Sequence, residues 1–366
     1  MSRKVSINKA SKILYNIIIE SSFEHLKSHM EEFDLSERKI CIVTDSNVEG
    51  LYVKEVKECL SAVAKKVVVF VMPAGEEHKT LDTVKDLYTF LIEEHFDRKD
   101  MLAALGGGVV GDLCGYTAAT YLRGISFIQI PTTLLSQTDS SIGGKTGVDF
   151  DSYKNMVGAF HMPRLVYMNM STLKSLDDRQ FASGMAEVLK HGLIRDGIFY
   201  EWLIDHFPEI TDREPEILEE MIYRSCQIKK SVVEKDPTEK GERALLNFGH
   251  TIGHAIEKYM NFRYFHGECV ALGCIAAAFI SYKREMLSTE EYYEIRDMFV
   301  PFSLPISLSE GNSEEILKLT KSDKKMDGDH VKFILLKKVG KAVIDTTVTD
   351  EEIIAAIDEL IFKDED

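Results

Sequence analysis

The chain carries 366 residues, 45% of them hydrophobic and 28% charged, with a formal net charge of −16. That length exceeds one typical core and predicts two domains of an ordinary soluble globular protein. The acidic balance disfavours nucleic acid and anionic membrane as partners, and a small anionic substrate would need a local basic cluster.

No N-terminal apolar core resembles a signal peptide, and the longest apolar run is too short to span a bilayer. The six cysteines include no Cys-x-x-Cys pair. Cys59 and Cys114 fall in apolar helical patterns and read as buried thiols of a reducing compartment, so a cytoplasmic protein is expected.

From residue 1 to about 170, short β-branched runs alternate with amphipathic stretches. Strands are expected at 13–19, 39–44, 67–72, 101–105, 127–130 and 165–168, and helices between them, as at 48–65 and 81–95. The alternation predicts a mostly parallel sheet with helices on its faces, binding ligands at the carboxyl ends of its strands. After the second strand, Thr44-Asp45-Ser46-Asn47 places a carboxylate that could accept from a ribose hydroxyl, although a helix cap is the plainer reading. After the third, Pro73-Ala74-Gly75-Glu76-Glu77-His78-Lys79-Thr80 forms a turn.

After the fourth strand, Gly106-Gly107-Gly108-Val109-Val110-Gly111-Asp112 leads into a helix at 109–121. Glycines at such a junction let backbone approach a pyrophosphate at the helix N-terminus, so a dinucleotide is favoured over a plain turn. The strict Gly-x-Gly-x-x-Gly spacing is absent. After the fifth come Pro131-Thr132-Thr133-Leu134-Leu135, Asp139-Ser140-Ser141-Ile142-Gly143-Gly144-Lys145-Thr146-Gly147 and Lys154-Asn155. This segment is expected as a long structureless loop. It is not a P-loop, yet its glycine, lysine and hydroxyl groups suit a phosphate oxyanion.

Beyond a boundary near residue 175, helices are expected at 178–194, 214–234, 244–259, 270–286 and 289–299. A hairpin follows at 331–336 and 342–347, then a closing helix at 351–362 and a solvated acidic tail. The first helix carries Glu187 and Lys190 on one face. The bland reading is a weak surface pair; the functional one makes Glu187 a metal ligand and Lys190 a substrate contact. Lys229, Arg243 and Asp323-Lys324-Lys325 add basic groups. The stretch Asn247-Phe248-Gly249-His250-Thr251-Ile252-Gly253-His254 then puts two histidines on one helix face, and His266 follows. Such a set suits a divalent metal completed by a carboxylate, with one position open.

Taken together, the segments 106–112, 131–135, 143–147, 154–155, 186–190 and 246–255 resemble the 3-dehydroquinate synthase family in order and spacing, over nearly the whole chain. The resemblance implies a dehydroquinate synthase-like fold: an α/β Rossmann-like N-terminal domain over residues 1–175 and a mostly α-helical C-terminal domain over 176–366, with the active site in the cleft between. It implies bound NAD, a Zn2+ or Co2+ ion and a homodimer. Metal ligands would be Glu187, His250 and His266, so His254 turns from the metal to the substrate phosphate. NAD contacts would come from Asp45, Asn47, Glu76, Lys79, Gly107, Gly108, Val109, Val110, Gly111, Asp112, Thr132, Thr133, Asp139, Lys145, Lys154 and the Thr172 to Ser175 turn. Lys145, Asn155 and His254 would bind phosphate, with Arg123 reaching in from the other subunit. Lys190, Lys229, Arg243, Asn247 and one of Lys324 or Lys325 would hold the substrate carboxylate and hydroxyls.

The implied substrate is 3-deoxy-D-arabino-heptulosonate 7-phosphate, closed to 3-dehydroquinate with loss of phosphate in the shikimate pathway. NAD would be regenerated at every turnover. The rivals are another sugar-phosphate cyclase, such as 2-deoxy-scyllo-inosose synthase, a metal-dependent polyol dehydrogenase, and a non-enzymatic NAD-binding regulator.

Overall fold

In the computed structural model, residues 2–9, 11–151, 153–322 and 332–361 are described. They divide into two compact units. The first comprises Met1–Leu176 with Leu218–Lys230, and the second Asp177–Ile217 with Ser231–Asp366. Lys324, Lys325 and the acidic tail lie outside the described residues, as do the ends of the expected hairpin and closing helix at 331 and 362.

The first unit is built on nine strands: β1 Arg3–Lys9, β2 Lys12–Glu20, β3 Lys39–Asp45, β4 Lys66–Met72, β5 Met101–Gly106, β6 Ser126–Pro131, β7 Lys145–Phe150, β8 Tyr153–Phe160 and β9 Leu165–Asn169. Four helices, α1 Leu26–Met30, α2 Glu49–Ser61, α3 Leu81–Glu93 and α4 Gly108–Thr120, connect them. Seven strands form one sheet in the order β1-β2-β9-β6-β5-β3-β4. All its neighbours pair in parallel except β1 with β2. Side-chain alternation along β3 explains the covering of both faces. Ile40 and Ile42 join Leu26, Met30, Val56 and Leu60 of α1 and α2. Cys41 and Val43 point the other way, to Val84, Leu87, Val110 and Leu113 of α3 and α4.

The chain runs outward from β3 to β4, then returns to place β5 on the other side of β3. That reversal opens a crevice at the carboxyl ends of β3 and β5, where ligands of such sheets bind. Two elements differ from the sequence expectation. Strand β1 was not foreseen: it is an edge strand whose Val5 and Ile7 alternate with charged and polar residues. The segment expected as a structureless loop after Pro131 instead forms a π-helical turn, Ser136–Ser140, and the antiparallel pair β7 and β8. Cys114 is buried as expected, whereas Cys59 is only half-buried, at the edge of the α2 face.

The second unit holds α5 Asp178–Arg195, α6 Gly197–Asp205, α7 Phe207–Thr211, the ends of α8 Pro215–Lys235, α9 His250–Tyr259, α10 His266–Lys283, α11 Thr289–Asp297, α12 Ser313–Ser322, α13 Asp350–Leu360 and the hairpin β10 Phe333–Lys338 with β11 Lys341–Asp345. Helix α10 is its axis, buried from Gly267 to Ser281 and almost wholly apolar after Glu268, as a helix surrounded by others must be. Helix α5 is buried almost as completely. Residues 244–259 do not form one helix. A 3-10 segment, Glu242–Asn247, ends before Gly249, whose φ of 79° breaks the run, and α9 begins at His250. Glycine is the residue that takes this left-handed backbone without strain.

Candidate functional site

In the second unit three elements bring Glu187, His250 and His266 together. Glu187 lies in the middle of α5, fully buried. His250 and His266 each open a helix. Close helix approach makes this possible. A Cβ on Gly273 of α10 would lie 1.9 Å from the Gly249 carbonyl oxygen, and one on Gly267 would lie 1.9 Å from that of Ser183. His266 is fixed further by its own helix start. Glu268 accepts the Phe265 backbone N–H at 2.7 Å and is gripped by Arg179 at 2.6 and 2.8 Å.

The Nε2 atoms of His266 and His250 stand 3.3 and 3.6 Å from Glu187 Oε1. One ligand atom from each of the three residues falls within a sphere of mutual distances below 4.8 Å. The Nδ1 of His250 faces the Phe248 carbonyl at 3.2 Å. A carbonyl only accepts, so Nδ1 carries the proton and Nε2 presents its lone pair towards Glu187. Desolvation first, and then the Lys190 charge, hold the His250 pKa well below the ordinary imidazole range. A neutral imidazole is the form that ligates a metal. The donor set of two imidazoles and one carboxylate therefore fits a zinc- or cobalt-like ion with an open position.

Lys190 ion-pairs with Glu187, both buried to within 1% exposure. The surface-pair reading of these two residues is thus wrong: they lie on the inner face of α5. His254 forms a second cluster with Glu257 and His266. Arg243 is buried and donates to the Pro237 carbonyl at 2.8 Å, while Asn247 Nδ2 donates to Glu239 at 2.9 Å. Glu257 went unread in the sequence, where a glutamate three residues after His254 looks like ordinary helix surface.

In the first unit, several of the expected nucleotide residues, Asp45, Gly107, Thr132 and Thr172, lie at or just beyond the carboxyl ends of β3, β5, β6 and β9. Asp45 ends β3 and accepts the N–H groups of Asn47 and Val48 at 2.8 and 3.0 Å, so it does cap the turn into α2, and Asn47 is exposed beside it. Gly107 sits between β5 and α4 with no side chain over the first turn of the helix. Added methyl groups would crowd Thr133 at 3.2 Å from Gly107, Ser140 at 3.1 Å from Gly108, and Gln129 at 2.5 Å from Gly111. Val109 and Val110 continue this turn, the latter into the core. The bare backbone at a helix N-terminus fits a pyrophosphate. Thr132 N–H donates to Gly106 O at 3.0 Å, and Thr133 exchanges hydrogen bonds with Ser136. Thr172 accepts from Gln137 at 3.2 Å, and Ser175 meets the Tyr52 hydroxyl.

Lys79 is the most connected of these residues. Its ammonium lies 3.0 Å from Asp112 and 3.3 Å from Glu76, and donates to Asn155 Oδ1 at 2.6 Å. Burial alone would lower its pKa, but Asp112, Glu76 and Asp149 outweigh that and raise it, keeping the group charged. Lys229, on the part of α8 that belongs to this unit, pairs with Asp139. Lys145 begins β7 and is exposed; the turn before it is anchored by Gly143 N–H, which donates to the Tyr15 hydroxyl at 3.0 Å. Lys154 is half-buried on β8. Arg123 is exposed on a corner where Leu122 and Arg123 both take left-handed backbone, φ 50° and 68°.

A parallel α/β unit with a bare glycine turn, and a helical unit with a two-histidine, one-carboxylate cluster, define the fold of the dehydroquinate synthase-like sugar-phosphate cyclases. The structure superposes with a TM-score of 0.87 on 2-deoxy-scyllo-inosose synthase complexed with carbaglucose-6-phosphate, NAD+ and Co2+, at 28% identity over 98% of this chain and 100% of that one. It superposes equally, at 0.87, on the 2-epi-5-epi-valiolone synthase of Streptomyces hygroscopicus with NAD+ and Zn2+ bound, at 26% identity over 97% and 98% of the two chains. The family models narrow the class. The 3-dehydroquinate synthase N-terminal model matches residues 69–183, and the C-terminal model matches residues 184–326. The 3-dehydroquinate synthase of Acetivibrio thermocellus is 42% identical over 354 residues, which is 97% of this chain and 98% of that protein. The chain belongs to the 3-dehydroquinate synthase family.

Proposed function

We propose that this chain converts 3-deoxy-D-arabino-heptulosonate 7-phosphate to 3-dehydroquinate and inorganic phosphate, acting as a carbon–oxygen lyase. The observation that carries the reading is the cluster of buried Glu187 with the half-buried His250 and His266 in a chain of this family. Glu187, His250 and His266 would hold a divalent ion, and the crevice residues from Asp45 to Ser175 an NAD. When bound, the ion supplies a Lewis acid and NAD a hydride acceptor that is restored within each turnover.

The chain's own residues supply the rest. His250 is kept neutral and aimed by its Nδ1–H, so its Nε2 is ready as a ligand. Lys190 sets a fixed positive charge against Glu187, suited to a hydroxyl or carboxylate oxygen of the substrate. Lys229, Arg243 and Asn247 are further donors for those oxygens, and Lys324 or Lys325 another. Lys145, Asn155 and His254 bind the phosphate, and Lys145 and His254 stabilise its departing charge. The basic groups reconcile an anionic substrate with a net charge of −16.

We also propose a homodimer in which Arg123, exposed on its left-handed corner, serves the neighbouring protomer. A cytoplasmic location accords with six cysteines that form no disulfide. Among the described residues no helix is long and apolar enough to cross a membrane. The test is to mix metal-loaded protein, NAD and the heptulosonate phosphate, then identify the organic product. The reading expects 3-dehydroquinate and phosphate in equal amounts, abolished by a chelator. A product lacking the carboxylate-bearing ring, or an oxidised polyol with NADH, would overturn it.

A further inference from the structure

The pair of β7 and β8 is irregular at the residue read as a phosphate contact. Val148 opposes Val157, but Phe150 opposes Tyr153, so β8 carries two more residues than β7 in that stretch. Asn155 lies in this bulge with φ 53°. A bulge leaves backbone groups outside the ladder and redirects a side chain, and bulges gather next to active sites. Here the displaced N–H is not left to water. Asn155 N–H donates to Asp149 Oδ1 at 2.7 Å. Asp149 is itself tied down, because its own N–H donates to the Lys79 carbonyl at 2.8 Å. The circuit closes through the Lys79 ammonium, which donates to Asn155 Oδ1 at 2.6 Å while also contacting Asp112 and Glu76.

This circuit fixes the amide as well as the backbone. An ammonium has only donors, so the group facing Lys79 is the amide oxygen. With its oxygen engaged by Lys79, the amide N–H2 is the donor that this exposed residue can offer to an anionic oxygen. Asparagine takes left-handed backbone more readily than most non-glycine residues, and here the hydrogen bonds to Asp149 and Lys79 hold it there.

We propose that Asp149 is a positioning residue that clamps the Asn155 bulge, so that Asn155 offers its amide donors to the substrate phosphate. The inference rests on the reading of Asn155 as a phosphate contact. Asp149 touches neither substrate nor cofactor; it acts through Asn155. Because Lys79 belongs to the nucleotide turn, the same clamp joins the cofactor loop to the phosphate-binding strand within one unit.

The test is steady-state kinetics of the metal-loaded, NAD-saturated enzyme with D149A, D149N, N155A and the D149A/N155A double variant. D149A raises KM for the sugar phosphate about tenfold, the weight of one well-placed hydrogen bond, with kcat changed less than about threefold. D149N stays within about threefold of wild type, since its amide oxygen still accepts the Asn155 N–H. On the N155A background D149A adds less than about twofold, because its target is gone. Should D149A fail to fold by circular dichroism, D149S, polar but too short to reach, carries the same expectation. Equal KM effects of D149A with and without Asn155, an unchanged KM in D149A, or a D149N as damaging as D149A would each overturn the proposal. Wild-type protein that releases no phosphate at all would instead overturn the underlying reading of Asn155, and this inference with it.

Discussion

Replacing Gly273 by alanine drives a methyl group into backbone at the crossing of α9 and α10. The new Cβ would lie 1.9 Å from Gly249 O and 2.8 Å from Gly253 N, where real Cβ atoms essentially never come within 3.0 Å. The obstacle is main chain, so no rotamer change relieves it, and the helices must part by about 1 Å. Overpacking of this kind costs about 1–3 kcal/mol, and a backbone clash belongs at the upper end. For a unit of this size that lowers Tm by about 6–12 °C. The same shift moves His250 on α9 away from His266 on α10, and metal sites tolerate only about 0.2 Å in ligand distance. Zinc affinity should therefore fall at least about tenfold. The assay pairs thermal unfolding by circular dichroism in chelator with zinc competition against a chromophoric chelator. Gly50→Ala is the control: nothing lies within 4 Å of its Cβ, in helix α2. It should leave both readouts unchanged or raise Tm slightly. A Gly273→Ala protein with wild-type Tm and zinc affinity would refute the close-crossing account of the cluster.

Glu187→Gln and His266→Ala should each weaken zinc binding by at least about a hundredfold, measured by equilibrium dialysis, since each removes one of three donors. The depressed His250 pKa sets a pH dependence for the metal-free protein. Between its folded value and about 6.5 the unfolded chain binds a proton that the folded chain does not, so stability falls as pH drops below about 6.5. Urea denaturation should show a smaller loss over that window for His250→Gln than for wild type. Lys79→Met removes a buried ammonium and strips the half-buried Asp112 of its counter-charge, and should cost about 1–3 kcal/mol in urea unfolding. NAD binding, followed by titration calorimetry, should weaken with it.

The strands of the central sheet were legible because they are buried on both faces and read as apolar runs, as in β3 and β5. Strand β1 was hidden by Arg3, Lys4, Ser6 and Lys9, which break up its apolar pattern at an edge of the sheet. The β7 and β8 pair was hidden because Gly147, Gly158, Lys154 and Asn155 interrupt its alternation; its pairing is decided by the bulge and by Asp149, which no local pattern announces. The helix break at Gly249 depends on a left-handed φ that sequence periodicity passes over. At the candidate site, spacing alone offered His250 and His254 on one face with His266 following, and only the resemblance implied Glu187, His250 and His266 as the ligand set. The structure gathers those three residues through the packing of α5, α9 and α10, and leaves His254 beside them with Glu257. Of the two readings of Glu187 and Lys190, the weak surface pair fails because on a helix buried almost throughout a shared face says nothing about solvent, whereas the metal-ligand reading of Glu187 accords with its place beside His250 and His266.

The central claim is that NAD is restored within each turnover and that phosphate leaves the substrate on this chain. The most direct test supplies the heptulosonate phosphate with NAD at about one-hundredth of its concentration and follows phosphate and NADH absorbance together. The account predicts phosphate release to completion with no accumulation of NADH, and none at all in Glu187→Gln. Release that stops at one phosphate per NAD, with NADH building up in step, would contradict it.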